Sequence, residues 1–274
     1  LMPKKVFWSF IKMTTLFGGL FLLFFIGMEV FPEKQRNQWF YKENKASLLS
    51  VEQEILLGEK IEKHVLQNQK VYNQAVMDSA LWVILTRLEQ EIEFSDYDYT
   101  LKIIDSPEIN AFTIPGGRIF IYKGLLVFCD SPEQVAAVLA HEIAHVEKRH
   151  TVSKLIKEFG ITLLFSILSG GDAILLSDLF QATVSTSFDR ANEREADDFA
   201  LALLEKAQIS PSSMASFFRK LNRENRAYNE NIEFLMTHPH NNARIKRSLN
   251  YQVKDSFSSK PLGLNWQEIK EEVK

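Results

Sequence analysis

Apolar residues recur with a helical period over most of the chain beyond residue 50. Residues 51–69 place four apolar side chains on one face: Ile55, Leu56, Ile61 and Val65. Residues 78–92 repeat this pattern with Leu81, Ile84, Leu85 and Leu88. The same period predicts further helices at 152–168, 173–186, 189–207 and 211–226. The apolar stretch at 159–171 is too short to span a membrane and is typical of a core or interfacial helix.

The segment around residues 100–122 has the shorter rhythm of β-strands. Residues 100–104 alternate between polar and apolar and then meet a turn sequence at 105–107. A second turn, Pro115-Gly116-Gly117, precedes a β-rich run at 118–122. The pattern therefore predicts an α+β fold that is mainly helical, with a small sheet near residues 100–122.

The N-terminal segment is strongly apolar. Residues 14–28 carry no charge, and residues 13–31 contain one charged residue, Glu29. The length of this stretch is close to the roughly 20 residues that span a bilayer. The bulky residues that follow do not resemble a cleavage site, so an uncleaved signal anchor at 1–31 is favoured over a cleaved signal peptide or an interfacial helix. Lysines flank both sides, but a short N-terminal flank usually stays inside. We therefore expect a single-pass membrane protein with a linker at 32–50 and a domain at 51–274 on the extracytoplasmic, periplasmic side.

Charge and cysteine content narrow the function classes. The net charge is −3 and no block of like charge occurs, which excludes a nucleic-acid surface. The single cysteine, Cys129, follows apolar residues, so a buried and inert thiol is predicted. One cysteine can form neither an internal disulfide nor a thiolate metal cluster.

The residues His141-Glu142-Ile143-Ala144-His145 form the H-E-x-x-H pattern of zinc metallopeptidases. They lie on a predicted helix that starts with a cap, a proline and an acid at 131–133 and runs to about His150. Residues four apart share a helical face, so both imidazoles can reach one ion, whereas Glu142 is offset by about 100° and can reach a water bound to that ion. Glu142 is therefore the predicted general base. A chance pattern on a solvated face is the alternative, but the apolar run at 135–140 favours a buried helix.

A third zinc ligand is predicted within residues 192–197, which read NEREAD. Glu193 and Asp197 are four apart on a predicted helix, which suits a carboxylate on zinc and an aspartate that orients a ligand histidine. Glu195 points about 200° away from Glu193 and is predicted to face solvent. Alone, this stretch would be interpreted as an acidic helix face in contact with solvent. Because the chain also contains the H-E-x-x-H helix, a metal ligand in this stretch is the favoured interpretation.

These motifs together resemble the gluzincin peptidases that include HtpX, the CAAX prenyl proteases, the mitochondrial Oma-type proteases and periplasmic BepA-like proteins. The resemblance spans about residues 50–250. Its matching pieces are Asn110-Ala111-Phe112, residues 115–121 and 124–126, HEIAHVEKRH at 141–150, NEREAD at 192–197, and Thr237-His238-Pro239 with Arg244. Each piece except the zincin motif is weak alone, but jointly they are specific.

The resemblance implies a zincin-type metallopeptidase domain in which the edge strand of the sheet flanks the H-E-x-x-H helix. It also implies one zinc ion per chain on His141, His145 and Glu193, with Asp197 behind them. The segment Asn110, Ala111 and Phe112 would lie near the edge strand where an extended substrate adds. The chain lacks the several spans of the prenyl proteases and helical repeats like those of BepA, so prenylated substrates are not expected.

The histidines outside the zincin motif have different predicted roles. His150 follows His145 by five residues, off the ligand face, and is predicted to be structural or exposed. His238 belongs to the resemblance, which implies that it approaches the metal site. It can cap zinc in a resting form or donate to the developing oxyanion, and the catalytic role is favoured because Arg244 would add positive charge.

We therefore expect a membrane-anchored zinc endopeptidase that acts on unfolded or membrane-associated proteins, in protein quality control. The alternative is a zinc-bearing chaperone or binding module with low turnover. Glu142 favours an enzyme, because a purely structural zinc site has no use for it. An exopeptidase would need a group that holds a substrate terminus, and none is identified.

Overall fold

The computed structural model describes residues 48–170, 173–226, 233–239 and 241–272. They belong to a compact unit, Leu48–Lys274. The predicted anchor at 1–31 and most of the linker at 32–50 lie outside the described residues. Among the helices of the described part, none combines the length and the apolar character that crossing a membrane requires.

The described helices follow the periodicity of the sequence closely. The first six are α1 (Val51–Asn68), α2 (Ala75–Glu89), α3 (Lys123–Phe128), α4 (Pro132–Glu147), α5 (His150–Phe159) and α6 (Ile161–Leu168). They are followed by α7 (Ala173–Ser185), α8 (Arg190–Lys206), α9 (Ser212–Arg226), α10 (Phe234–Thr237), α11 (Asn241–Asn250) and α12 (Trp266–Glu271). The helices at 51–69, 173–186, 189–207 and 211–226 were each predicted to within about one residue, the boundary uncertainty of any assignment.

The sheet contains β1 (Val71–Tyr72), β2 (Thr100–Ile104), β3 (Ala111–Ile114) and β4 (Arg118–Tyr122) in the order β1-β2-β4-β3. Strands β2 and β4 are parallel, and the other two pairings are antiparallel. The hairpin between β3 and β4 turns at Gly116 and Gly117, whose φ angles of 78° and 79° are in the left-handed region that glycine tolerates. Strand β3 is an edge strand in this sheet.

Helix α4 is the central element of the domain. Every residue from 134 to 146 is buried, and the helix packs against α8, α9, α2 and β3. This burial explains the apolar run at 135–140 and places the two motif histidines inside the protein. The predicted α+β, mainly helical fold with an edge strand beside the H-E-x-x-H helix is confirmed.

Two predicted helices end or break where a backbone angle changes sign. Arg149 has a φ of 53°, so α4 ends at Glu147 and a new helix begins at His150. The side chain of Arg149 stabilises this junction, since its Nε donates to the buried Glu54 carboxylate at 2.8 Å. The predicted helix at 152–168 is divided at Gly160, whose φ is 78°.

The other differences concern short elements and caps. The helix predicted at 78–92 begins at Ala75, because the Gln74 side chain accepts a hydrogen bond from the Met77 amide and caps it. Glutamine is not among the usual capping residues, so sequence patterns do not signal this start. The short helix α3 and the short strand β1 were not predicted.

Candidate metal centre

His141 and His145 lie one turn apart on α4 and point in the same direction. Both side chains are buried, and their Nε2 atoms are 3.0 Å apart. Burial, together with the nearby Arg244 guanidinium, lowers the pKa of His141 to about 3. Burial also lowers the pKa of His145. Both rings are therefore neutral near pH 7, which is the form that binds metal.

Glu193 lies opposite these histidines, on the first turn of α8. Its Oε1 is 3.4 Å from Nε2 of His145, and its Oε2 is 3.6 Å from Nε2 of His141. Burial alone would raise the pKa of Glu193, but His238, Arg244 and His141 hold that pKa well below its ordinary value. Asp189 caps the helix by accepting from two backbone amides, so the start of α8 is fixed one turn before the carboxylate.

His238 joins the same cluster from the segment after α10. Its Nδ1 is 2.9 Å from Oε1 of Glu193 and 3.2 Å from Nε2 of His141. The ring is buried and stacks on Phe234, with centroids 4.5 Å apart. One potential ligand atom from each of His141, His145, Glu193 and His238 therefore lies within 4.8 Å of the others.

The spacing of these atoms fits one tetrahedral zinc ion. With bonds of about 2.0–2.1 Å, the ligand atoms of a tetrahedral site are about 3.3 Å apart. Among His141 Nε2, His145 Nε2, Glu193 Oε1 and His238 Nδ1, four of the six separations run from 2.9 to 3.4 Å, close to this value. Three imidazoles and one carboxylate form a donor set that binds zinc better than magnesium or calcium, which prefer oxygen ligands alone.

Glu142 lies beside this cluster without belonging to it. Its carboxylate is buried, and within the described residues neither oxygen has a hydrogen-bond partner. Oε1 is 3.4 Å from Nε2 of His238. Burial raises the pKa of Glu142 to about 7. A buried acid without a hydrogen-bond partner is costly to stability, and its position next to ligand atoms is the arrangement expected of a group that exchanges a proton there.

Asp197 and Arg244 lie behind the clustered side chains of His141 and Glu193. Asp197 Oδ1 is 3.2 Å from Nδ1 of His141, and both of its oxygens accept from Nε of Arg244 at 3.0 Å. Arg244 Nη1 also lies 2.8 Å from Oε2 of Glu193. Burial would lower the pKa of Arg244, but Asp197 and Glu193 together raise it, so the guanidinium is a fixed charge that faces these two carboxylates.

His145 has its own partner, His150. The two Nδ1 atoms are 3.1 Å apart, and Nε2 of His150 is 3.5 Å from Oε2 of Glu195. His150 is buried, and the turn at Arg149 brings it back over His145 although the spacing of five residues places it off the ligand face. Glu195 faces solvent, with 55% of its side chain exposed.

Two neighbours of the site, Phe188 and Lys154, were not predicted from the sequence. Phe188 stacks on His145, with ring centroids 3.9 Å apart, and Lys154 Nζ lies 4.6 Å from the centre of the Phe188 ring. The Phe188 amide donates to the Thr237 carbonyl at 3.1 Å. This hydrogen bond connects the residues just before α8 to the residue that precedes His238. No motif or residue spacing in the sequence indicated Phe188. The contact of His150 with His145 was not predicted either, although His150 belongs to the HEIAHVEKRH motif.

The segment Asn110, Ala111 and Phe112 lies at the start of β3, beside α4. The Tyr122 amide donates to the Asn110 carbonyl at 3.0 Å, so Asn110 occupies a hydrogen-bonded position toward β4. Because such positions alternate along a strand, the backbone groups of Ala111 and Thr113 point away from β4, toward the side of β3 that pairs with no strand in this sheet.

This edge is covered in the structure. All four residues of β3 are buried. Helix α7 packs against β3, with Phe180 and Phe112 centroids 5.9 Å apart. The Asn110 Oδ1 accepts from the Ala111 amide at 2.9 Å, while its buried Nδ2 has no hydrogen-bond partner within the described residues.

Comparison with known proteins places these residues among metallopeptidases. The profile of a family described as peptidase family M48 matches residues 77–252. A Vibrio cholerae protein provisionally named beta-barrel assembly-enhancing protease is 30% identical over 215 residues, which cover 74% of this chain and 44% of that protein. The mitochondrial metalloendopeptidase OMA1 of Schizosaccharomyces pombe is 28% identical over 167 residues, covering 60% and 50%. OMA1 of Saccharomyces cerevisiae is 29% identical over 262 residues, covering 84% and 71%. The chain thus spans about half the length of the first two relatives.

Proposed function

The chain belongs to peptidase family M48, and we propose that it is a zinc-dependent endopeptidase held at a membrane by its N-terminal segment. The observation that carries the activity is the buried cluster of His141, His145, Glu193 and His238 with the unpartnered Glu142 beside it. A purely structural zinc site would not need a buried carboxylate without a hydrogen-bond partner at position 142.

His141, His145 and Glu193 would hold one zinc ion. When bound, zinc would supply Lewis acidity toward a peptide carbonyl and lower the pKa of a water molecule. Asp197 and His150 would orient the two histidines through their Nδ1 atoms, so that both Nε2 atoms face the ion. Arg244 would hold Glu193 and Asp197 in place, because it contacts both carboxylates.

Glu142 would act as general base. It takes a proton from the attacking water while the water oxygen bonds to the carbonyl carbon. It then delivers the proton to the amine nitrogen as the carbon–nitrogen bond breaks. Burial raises the pKa of Glu142 above its ordinary value, which favours the protonated form that the second transfer needs.

We infer that His238 caps the ligand cluster in this conformation. Its Nδ1 fits the fourth ligand position, and the Arg244 charge that favoured an oxyanion role is already directed at Glu193 and Asp197. The catalytic role of His238 stays a prediction for a conformation in which the ring has moved away from the ligands.

Substrate would add to the free edge of β3 as an extended strand. The outward Ala111 carbonyl and the outward backbone groups of Thr113 would pair with it, while the Ala111 amide would first have to leave Asn110 Oδ1; Asn110 Nδ2 is available as a further donor. Because α7 covers this edge and His238 lies at the fourth ligand position, substrate access requires both to shift. The structure therefore supports a resting form of the peptidase.

The predicted signal anchor at 1–31, linker at 32–50 and peptidase domain at 51–274 are part of this proposal. The uncharged stretch 14–28 supports the anchor, and the extracytoplasmic position of the domain stays a prediction. The relatives named as beta-barrel assembly-enhancing protease and mitochondrial metalloendopeptidase support protein substrates.

The covered site favours one second candidate, a zinc-bearing chaperone or binding module with low turnover. Casein digestion by the purified full chain separates the two. A peptidase cleaves casein, loses activity when a chelator removes its zinc, and regains activity when zinc is returned. A zinc-replete chain that retains casein without cleaving it would support the binding module.

A further inference from the structure

Lys154 is a buried lysine on α5 that the proposed mechanism does not use. The residue is 6% exposed, and burial lowers the pKa of its ammonium group to about 8. A buried charge is costly unless hydrogen bonds replace the water that it loses. The groups that Lys154 contacts therefore indicate what the buried charge stabilises.

The ammonium group of Lys154 binds the C-terminal end of α7. Its Nζ donates to the carbonyls of Thr183 and Thr186 at 3.2 Å and 2.7 Å. The last carbonyls of a helix have no partner within the helix and form the negative end of its dipole, so a cation there stabilises the helix end. Nζ also lies 4.6 Å from the centre of the Phe188 ring. One side chain of α5 thus holds residues 183–188 in place.

Helix α7 is the element that covers the substrate edge of β3. The two elements pack together, and the ring centroids of Phe180 and Phe112 are 5.9 Å apart. Phe180 lies about one helical turn before Thr183, whose carbonyl accepts from Lys154. The hydrogen bonds of Lys154 therefore act on the part of α7 that covers the edge.

The residues that Lys154 holds also contact His238, the side chain at the fourth ligand position. The Phe188 amide donates to the Thr237 carbonyl at 3.1 Å, and the ring centroids of Phe188 and His238 are 5.5 Å apart. Helix α7 also packs against α10, the helix that ends at Thr237. A shift of residues 183–188 would therefore remove contacts that hold His238 in place.

We propose that Lys154 is a latch that keeps the peptidase in its resting form, because it holds both α7 over β3 and His238 at the ligand cluster. This inference rests on the proposed function, in which both must shift before substrate binds. Lys154 is a positioning residue, which acts through α7 and Phe188. When residues 183–188 shift, water can solvate both the ammonium group and the two carbonyls, so the latch can open and close again.

Lys154→Met tests the proposal in the zinc-loaded full chain. Methionine keeps an unbranched side chain but leaves the Thr183 and Thr186 carbonyls without this donor in the resting form. Loss of a hydrogen bond to a charged group shifts a conformational equilibrium by at least about tenfold, here toward the open form. The matched control is Lys157→Met, because Lys157 lies on the same helix and is exposed. Lys154→Gln carries the same test if Lys154→Met does not fold.

Hydrogen exchange measured by mass spectrometry reports the latch without any need for turnover. For Lys154→Met we expect exchange about tenfold faster than in the wild type in both 179–188 and 234–239, with no change in 135–146 of the central helix. Casein cleavage should show a KM lowered severalfold with little change in kcat, because a larger fraction of the chain is competent to bind substrate. Lys157→Met should match the wild type in both measurements.

The exchange pattern decides against the latch in several ways. Faster exchange in 179–188 alone would show that Lys154 only caps α7, and unchanged exchange in both segments would show that it holds neither; each result would overturn the inference. Faster exchange in 135–146 as well would mean a general loss of stability and would also overturn it. The expected exchange with an unchanged KM would show that these segments do not limit access, which overturns the role in the resting form. The expected exchange without casein cleavage by any of the chains would retain the latch and refute the proposed peptidase activity.

Discussion

Replacement of Asp197 by asparagine should weaken zinc binding without changing any proposed ligand. Asp197 Oδ1 faces Nδ1 of His141 at 3.2 Å, and both carboxylate oxygens accept from Arg244. Both neighbours are donors when His141 binds metal through Nε2. Asparagine keeps the shape but offers one acceptor oxygen, so its amide nitrogen must face one of these two donors.

The size of the effect follows from these contacts. Loss of a partner that orients a metal ligand lowers metal affinity about 10–100-fold, which corresponds to about 1.4–2.7 kcal/mol. Removal of one member of a buried ion pair destabilises by about 3–5 kcal/mol. Arg244 keeps Glu193 as a partner, so we expect about 3 kcal/mol, the lower end of that range.

Asp198→Asn is the matched control, one residue further along α8. Asp198 is 61% exposed at its side chain and pairs with Arg247, so its loss should change the stability of the fold by about 0–1 kcal/mol. Zinc affinity is measured by competition with a chromophoric chelator, and stability by urea unfolding. Equal zinc affinity in Asp197→Asn and wild type, or an equal loss in Asp198→Asn, would refute the role given to Asp197.

Three further predictions concern the ligands, the cap and the anchor. Glu193→Ala should purify without zinc while Glu195→Ala keeps one ion per chain, and equal zinc content in elemental analysis of the two would mean that the ligand is misassigned. His238→Ala should raise casein cleavage severalfold because it opens the fourth ligand position, whereas a fall of about 10²–10³-fold with zinc retained would assign His238 to the transition state. Deletion of 1–31 should give a zinc-binding protein that alkaline carbonate extracts from membranes; a truncated protein that still requires detergent would contradict residues 1–31 as the sole attachment and would make the apolar stretch 159–171 a membrane contact.

The family and the general fold were predictable from sequence because they depend on local patterns. The period of apolar residues gives the helices, and a spacing of four on a helix places His141 with His145 and Glu193 with Asp197. The resemblance to the gluzincin peptidases is confirmed by the match to peptidase family M48 at residues 77–252. The roles of the individual site residues stay predictions until they are tested.

The features that sequence could not give depend on backbone reversals and long-range packing. His150 lies over His145 because Arg149 adopts a left-handed conformation that a helical period cannot express. Phe188 and His238 reach the site from loops, and loop paths are set by tertiary contacts such as the Phe188 amide on the Thr237 carbonyl. The closure of the β3 edge by α7 has the same origin.

Zinc content and proteolysis of Glu142→Gln, measured on the same preparation, test the central claim most directly. Glutamine has the size of glutamate but cannot accept a proton at neutral pH. The proposed mechanism predicts one zinc ion per chain, as in the wild type, and casein cleavage reduced by about 10²–10⁴-fold. Cleavage at the wild-type rate would contradict the assignment of Glu142 as general base, and loss of zinc would contradict its position outside the ligand set.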